Sequence, residues 1–199
     1  MNFRTAALAA SALTIALVLA GCSATTTTTM PSDMPGMPGM DSPTNAAPQF
    51  NDSDVAFVMQ MIPHHQQAVE MADILLDKTD VDSRVVELAT QVKAAQGPEI
   101  TTMTSWLETW GLAAPEPMEG MVMNGMMSPD EMDALTNASG PDSSKLFLQQ
   151  MIQHHQGAID MANEELSAGM NAPALTLAKA IIDAQTAEIA TMQSILDTL

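Results

Sequence analysis

Basic residues are scarce in this chain of 199 residues: 6 Lys and Arg face 24 Asp and Glu, for a net charge of −18. Nucleic-acid binding needs clustered Lys and Arg against phosphate, so the balance argues against that class. It equally disfavours docking on an anionic membrane through a basic patch. Cysteine is almost missing, and the single Cys22 excludes an internal disulfide and any multi-Cys metal site. Aromatics make up 3% and tyrosine is absent, so a core must rest on Ala, Leu, Ile, Val and Met. The sequence carries no strand signal, nucleophile elbow, phosphate loop or cofactor motif. What it has in excess is methionine, with 19 residues.

Residues 1–21 read as an export signal. Arg4 precedes an apolar run from about Thr5 to Ala20, too short for a comfortable transmembrane anchor. Leu19-Ala20-Gly21-Cys22 resembles the lipobox of bacterial lipoproteins, which implies cleavage before Cys22 and lipidation of that residue. The expectation is a protein held outside the cytoplasmic membrane by lipid, without spanning it. Residues 22–50 are rich in Thr, Pro, Gly and Ser and show no apolar period. They read as a disordered tether, because such a segment buries too little surface to offset its ordering entropy.

Residues 51–199 contain an internal duplication. Shifted by 90, residues 54–76 lie over 144–166 with 11 of 23 positions identical. Shifted by 89, residues 84–110 lie over 173–199 with 11 of 27 identical. Each copy is thus two segments joined by a short polar loop. Apolar positions follow a helical period: Phe57, Met61, His64, His65, Ala68, Met71, Ala72 and Leu75 share one face of the first segment, with Glu70 opposite. In the second segment the inward set around Met103 is Leu88, Ala89, Val92, Gln96, Glu99, Trp106 and Leu107. Gly111, Gly169 and Pro173 mark helix ends, and Ser128-Pro129-Asp130-Glu131 is a capping box predicting a short helix of about two turns. Pro63, inside the first segment, predicts a kink or an opened turn just before the histidines. The predicted fold is all-α: a four-helix bundle of two duplicated hairpins, joined by a crossover that contains the short helix.

All four histidines fall in two pairs, His64-His65 and His154-His155, at matching places in the repeat. Adjacent residues on a helix point about 100° apart, so both can face inward only by straddling the centre of the buried stripe, as these do. Met61 and Met71 flank the first pair, and Met151 and Met161 the second. The partner helices add Gln96, Glu99 and Met103, and Gln185, Glu188 and Met192. One bundle layer could therefore gather imidazoles, carboxylates, amides and thioethers as a metal site, with the partner-helix groups as further ligands or as their supports. A closed hydrogen-bonded network and metal-free catalysis are the competing readings. The network is the costlier way to fill a core unless every group is paired.

Ten methionines lie in the tether and the crossover. The tether carries Met30, Met34, Met37 and Met40, and the crossover Met118, Met121, Met123, Met126, Met127 and Met132. Thioethers are soft, neutral ligands that favour Cu(I) and Ag(I) over Ca²⁺ or Mg²⁺. These stretches therefore read as soft-metal capture segments, against compositional drift, a docking strip or sacrificial oxidation.

At MIPHHQQAVEMA, MIQHHQGAIDMA and the two Q-x-x-E-I-x-x-M runs, the chain resembles the bacterial family called domain of unknown function 305. The resemblance covers about residues 52–199 and implies a ferritin-like four-helix bundle. Some exported relatives are associated with copper binding and copper tolerance through His and Met. Carried over by motif, this implies metal binding at His64, His65, His154 and His155 with Met61, Met71, Met151 and Met161. It does not bring di-iron chemistry, which needs Glu-x-x-His on two helices: Met61, Ile62, Met151 and Ile152 occupy the positions three before the histidines. The expectation is a copper-binding envelope lipoprotein rather than an enzyme, with a metal ion and the membrane as its partners. The alternative classes are a scaffold or adaptor bundle with a satisfied polar core, and a Zn or Fe enzyme at His and Glu.

Overall fold

A computed structural model describes residues 49–115 and 123–199. The export signal, Cys22, Met30, Met34, Met37, Met40, Met118 and Met121 lie outside the described residues.

Five helices follow in order: α1 Asp52–Leu76, α2 Ser83–Trp110, α3 Pro129–Asn137, α4 Gly140–Ala168 and α5 Ala172–Leu196. No strand occurs among the described residues. The caps are where the sequence places them. Asn51 and Asp54 form a capping box at α1, and Ser128 and Glu131 form the predicted one at α3. Gly111 ends α2 in the left-handed region at φ 74°, a conformation glycine adopts without steric cost. Helix α1 runs unbroken through Pro63, so the expected opened turn does not interrupt it. Helix α2 likewise continues through Pro98. Phe50, assigned from sequence to the tether, stacks on Trp110 with ring centroids 4.6 Å apart, so the ordered bundle begins slightly before residue 51.

Helices α1 and α2 pack as one hairpin and α4 and α5 as the other. The hairpins join through α1 and α4, while α2 and α5 face each other across a groove. Helix α3 lies against α1 and α4. Two apolar clusters fill the bundle. One gathers Leu75, Leu88, Val92, Phe147, Leu148 and Ile195 toward the α1–α2 turn. The other gathers Phe57, Val58, Ile62, Leu107, Ala178 and Ile181 toward the α4–α5 turn. Burying each Leu- or Phe-sized side chain contributes roughly 1.5–3 kcal/mol. The four histidines, with Gln96 and Gln185, occur between these clusters in the order of residues along each helix.

The two bundle ends are built differently. At the α4–α5 end, Asp54 is fully buried and accepts the backbone N–H groups of Asn51, Met170 and Asn171. Burial alone would raise its pKa, but these backbone bonds, with Glu165 beside it, hold it below the ordinary carboxylate value. Glu165 is 1% exposed, and neither of its oxygens meets a donor. Burial first, and Asp54 second, push its pKa up to about 8. Protonation turns Glu165 into a donor toward Asp54 and removes a buried charge. The duplicated joint at the other end has Ser144 and Leu75 at the equivalent positions, with the Asp82 N–H donating to Ser144 Oγ.

The native state therefore retains a proton that the unfolded chain releases near pH 4.5. Stability falls as pH rises from there to about 8, by at most roughly 1.4 kcal/mol per pH unit. Thermal midpoints measured across this window should decline for the native protein and stay flatter for Glu165→Gln.

Candidate metal centre

Helices α1 and α4 bring the two histidine pairs together at the middle of the bundle. The ring centroids of His64 and His154 lie 3.7 Å apart, with planes inclined by 38°. Both residues are fully buried, and none of their four ring nitrogens has a hydrogen-bond partner. Buried polar atoms without partners are rare and costly in native proteins. Burial, followed by the neighbouring histidines, drives the His64 pKa down to about 3, with the Asn124 backbone as a weak opposing influence. The His154 pKa lies well below the usual value for the same leading reason, burial, then His64, His155 and His65. Both rings are thus neutral at physiological pH, and each keeps a lone pair directed into the core.

His65 and His155 face the partner helix of their own hairpin. His65 Nε2 is 2.8 Å from Glu99 Oε2, and His155 Nε2 is 2.6 Å from Glu188 Oε2. A carboxylate only accepts, so Nε2 carries the hydrogen, and in the neutral ring Nδ1 is left as the acceptor. Both Nδ1 atoms are buried and without a partner. A carboxylate that orients an imidazole in this way is the usual support of a metal-ligating histidine. Gln96 and Gln185 are buried on the same layer, and their Oε1 atoms also lack donors.

The methionines split evenly around this layer. Met61, Met103 and Met161 belong to the apolar cluster on one side, and Met151, Met71 and Met192, their repeat equivalents, to the cluster on the other. All six are buried. Met61 and Met151 each precede the first histidine of a pair by three residues, which places them one turn away on the same helix face. In the crossover, Met127 is buried, whereas Met123 and Met126 are half-buried. Among the described residues no group of three or more His, Cys, Asp and Glu side chains is arranged to hold a metal ion. The neutral donors at this layer are imidazole nitrogens and, one turn away, thioether sulfurs, which suit Cu(I) and Ag(I) better than hard cations.

The sequence reading missed the cover of this layer. The crossover lies over α1 and α4 beside the histidines. Gln67 accepts the Met127 N–H at 2.7 Å and donates to the Met127 carbonyl at 2.8 Å. In the second repeat the equivalent residue is Gly157, and the chain at Asn124 and Gly125 packs directly against it. A Cβ at Gly157 would overlap the Asn124 carbonyl oxygen. The replacement of Gln67 by a glycine, Gly157, in the second copy of the motif was the available signal.

Residues 54–196 match the family described as Domain of unknown function (DUF305). The chain belongs to the DUF305 family. Among solved structures it is similar to a DUF305 protein from Streptomyces coelicolor whose name marks it as a candidate secreted protein. That match has 34% identity, covers 73% of this chain and 93% of that one, and has a TM-score of 0.68. A DUF305 fragment from Deinococcus radiodurans matches at 31% identity over 75% of this chain and 98% of its own, with a TM-score of 0.69. CopM in its Cu(I)-bound form matches at 30% identity over 73% of this chain and 96% of its own, with a TM-score of 0.62. CopM also has Cu(II)-bound and Ag-bound forms. No curated protein matches the chain.

Two measurements follow from this geometry. Ring ¹⁵N shifts should show His64 and His154 still neutral at pH 5. Gly157→Ala should lower stability by about 1–3 kcal/mol, read as a drop in thermal midpoint, because the crossover backbone must move.

Proposed function

We propose that this DUF305 protein binds a soft metal ion, Cu(I) foremost, in the cell envelope and serves copper sequestration or tolerance. The observation that carries the reading is the His64–His154 contact: two buried neutral imidazoles with four unpartnered nitrogens at the centre of the fold. A scaffold core would satisfy such groups or replace them with apolar ones. The metal-bound forms of CopM, a relative at about 30% identity, support the same chemistry.

His64 and His154 are the primary nitrogen donors in this reading. Met61 and Met151 are the nearest thioethers along their helices, and Met71, Met161, Met103 and Met192 complete the sulfur set. His65 and His155, held by Glu99 and Glu188, supply Nδ1 as a further donor or orient the layer. The rings of His64 and His154 are in contact, so taking up an ion requires them to rotate. The Met-rich segments, with Met30, Met34, Met37, Met40, Met118, Met121, Met123, Met126 and Met127, act as capture arms that raise the local concentration of the ion. The N-terminal segment supports export and lipid attachment at Cys22. No described helix is long and apolar enough to cross a membrane. The acidic surface attracts cations of every kind and adds no selectivity.

Anaerobic titration with Cu(I) against a competing chelator tests the assignment. The native chain should bind Cu(I) in preference to Zn²⁺ or Mg²⁺, and the ion should raise the thermal midpoint, since it binds the folded state. His64→Ala with His154→Ala should weaken the tightest site at least a hundredfold. Unchanged stoichiometry and affinity in that variant would refute the reading.

A further inference from the structure

The buried imidazoles need a path from solvent, and most directions are closed. The apolar clusters plug both bundle ends. Within each hairpin, α1 with α2 and α4 with α5 pack through both apolar clusters. The α1–α4 face is covered by the crossover, pinned to Met127 by Gln67 and seated against Gly157 with no space for one added carbon.

The α2–α5 side is different. It holds a cavity of about 20 Å³ lined by Ala95, Gln96 and Glu99 from α2 and by Ala184, Gln185 and Glu188 from α5. That is room for a single water-sized species. Each pair is a repeat equivalent, so the opening is built twice, by both halves of the chain. Its rim residues Ala95 and Ala184 are small and exposed. Glu99 and Glu188, with side chains 25% and 23% exposed, line the cavity and also touch His65 and His155. One carboxylate thus spans the distance from the cavity to the imidazole layer. Gln96 and Gln185, nearly fully buried with unpartnered Oε1 atoms, stand beside it. An ion leaving water needs polar atoms in succession to offset its desolvation, and this lining supplies them.

We propose that the metal ion reaches the His64–His154 pair through the α2–α5 groove, with Glu99 and Glu188 as its first partners within the groove and Ala95 and Ala184 setting the width of the opening. The proposal rests on the soft-metal reading above and adds the direction of loading. The carboxylates and amides hold the ion only in transit, because oxygen donors suit Cu(I) and Ag(I) less well than the imidazoles and thioethers behind them. The ion does not pass through the crossover face, which Gln67 and Gly157 hold closed; the Met-rich segments gather it before it enters the groove.

The test is the rate of loading. Full-length metal-free protein is mixed anaerobically with Cu(I) held by a chromophoric chelator, and transfer is followed by absorbance. Ala95→Leu with Ala184→Leu narrows the opening at exposed helical positions where leucine is a good helix former. Loading should slow at least fivefold, with final stoichiometry and the thermal midpoint of the metal-free protein unchanged. A smaller change in rate, or a loss of stoichiometry, overturns the route. Should the double variant fail to unfold cooperatively, Ala184→Leu alone decides, with a slowing of at least twofold required. Failure of the route leaves uptake by the native chain intact, whereas a native chain that takes up no Cu(I) defeats the soft-metal reading itself.

Discussion

Two neutral imidazoles pressed together at the crossing of α1 and α4 are the constraint around which this bundle is organised. A histidine in water keeps both nitrogens hydrogen-bonded, and burial without partners costs on the order of 1–3 kcal/mol per group. His64 and His154 bear that cost jointly. The apolar clusters on either side offset it. Burial also keeps the rings unprotonated. Stability is supplied at the ends of the bundle and spent at its middle, the pattern expected where a fold maintains a reactive layer.

The surrounding groups divide the work. Glu99 and Glu188 fix the second histidine of each pair at the edge of the layer, partly in solvent. The thioethers lie inside the apolar clusters, where they pack as ordinary core side chains. A methionine suits both that packing and the proposed soft-metal binding, because its sulfur is polarizable and carries no charge or hydrogen-bonding demand. The proposed site would then be assembled without unpaired carboxylates at its heart.

Much of this was legible in the chain itself. The duplicated period located four long helices, Gly111 marked the end of one of them, and Ser128 marked the start of the short crossover helix. The inward faces were right for Phe57, His64, His65, Met71 and Leu75. Glu99 ends only half-buried because it lines the α2–α5 groove, and Trp106 is half-buried at the margin of the second apolar cluster. Three features were hidden. Pro63 gave reason to expect a kink or an opened turn, yet α1 runs through it as one unbroken helix. The Asp54–Glu165 pair joins residues 111 apart, beyond the reach of any local pattern. The course of the crossover depends on Gly157, whose lack of a side chain acquires meaning only when Asn124 lies against it.

Gln67 and Gly157 also say something about covalent linkage. A dimer of identical hairpins is obliged to carry the same residue at both symmetry-related places, so it could not offer a hydrogen-bonding amide on one side and bare backbone on the other. Joining the two hairpins in one polypeptide lifts that obligation. The crossover can then be gripped at one contact and admitted at the other, while the opposite flank keeps its mirrored Ala95 and Ala184. Fusion has let one side of the molecule specialise and the other remain twinned.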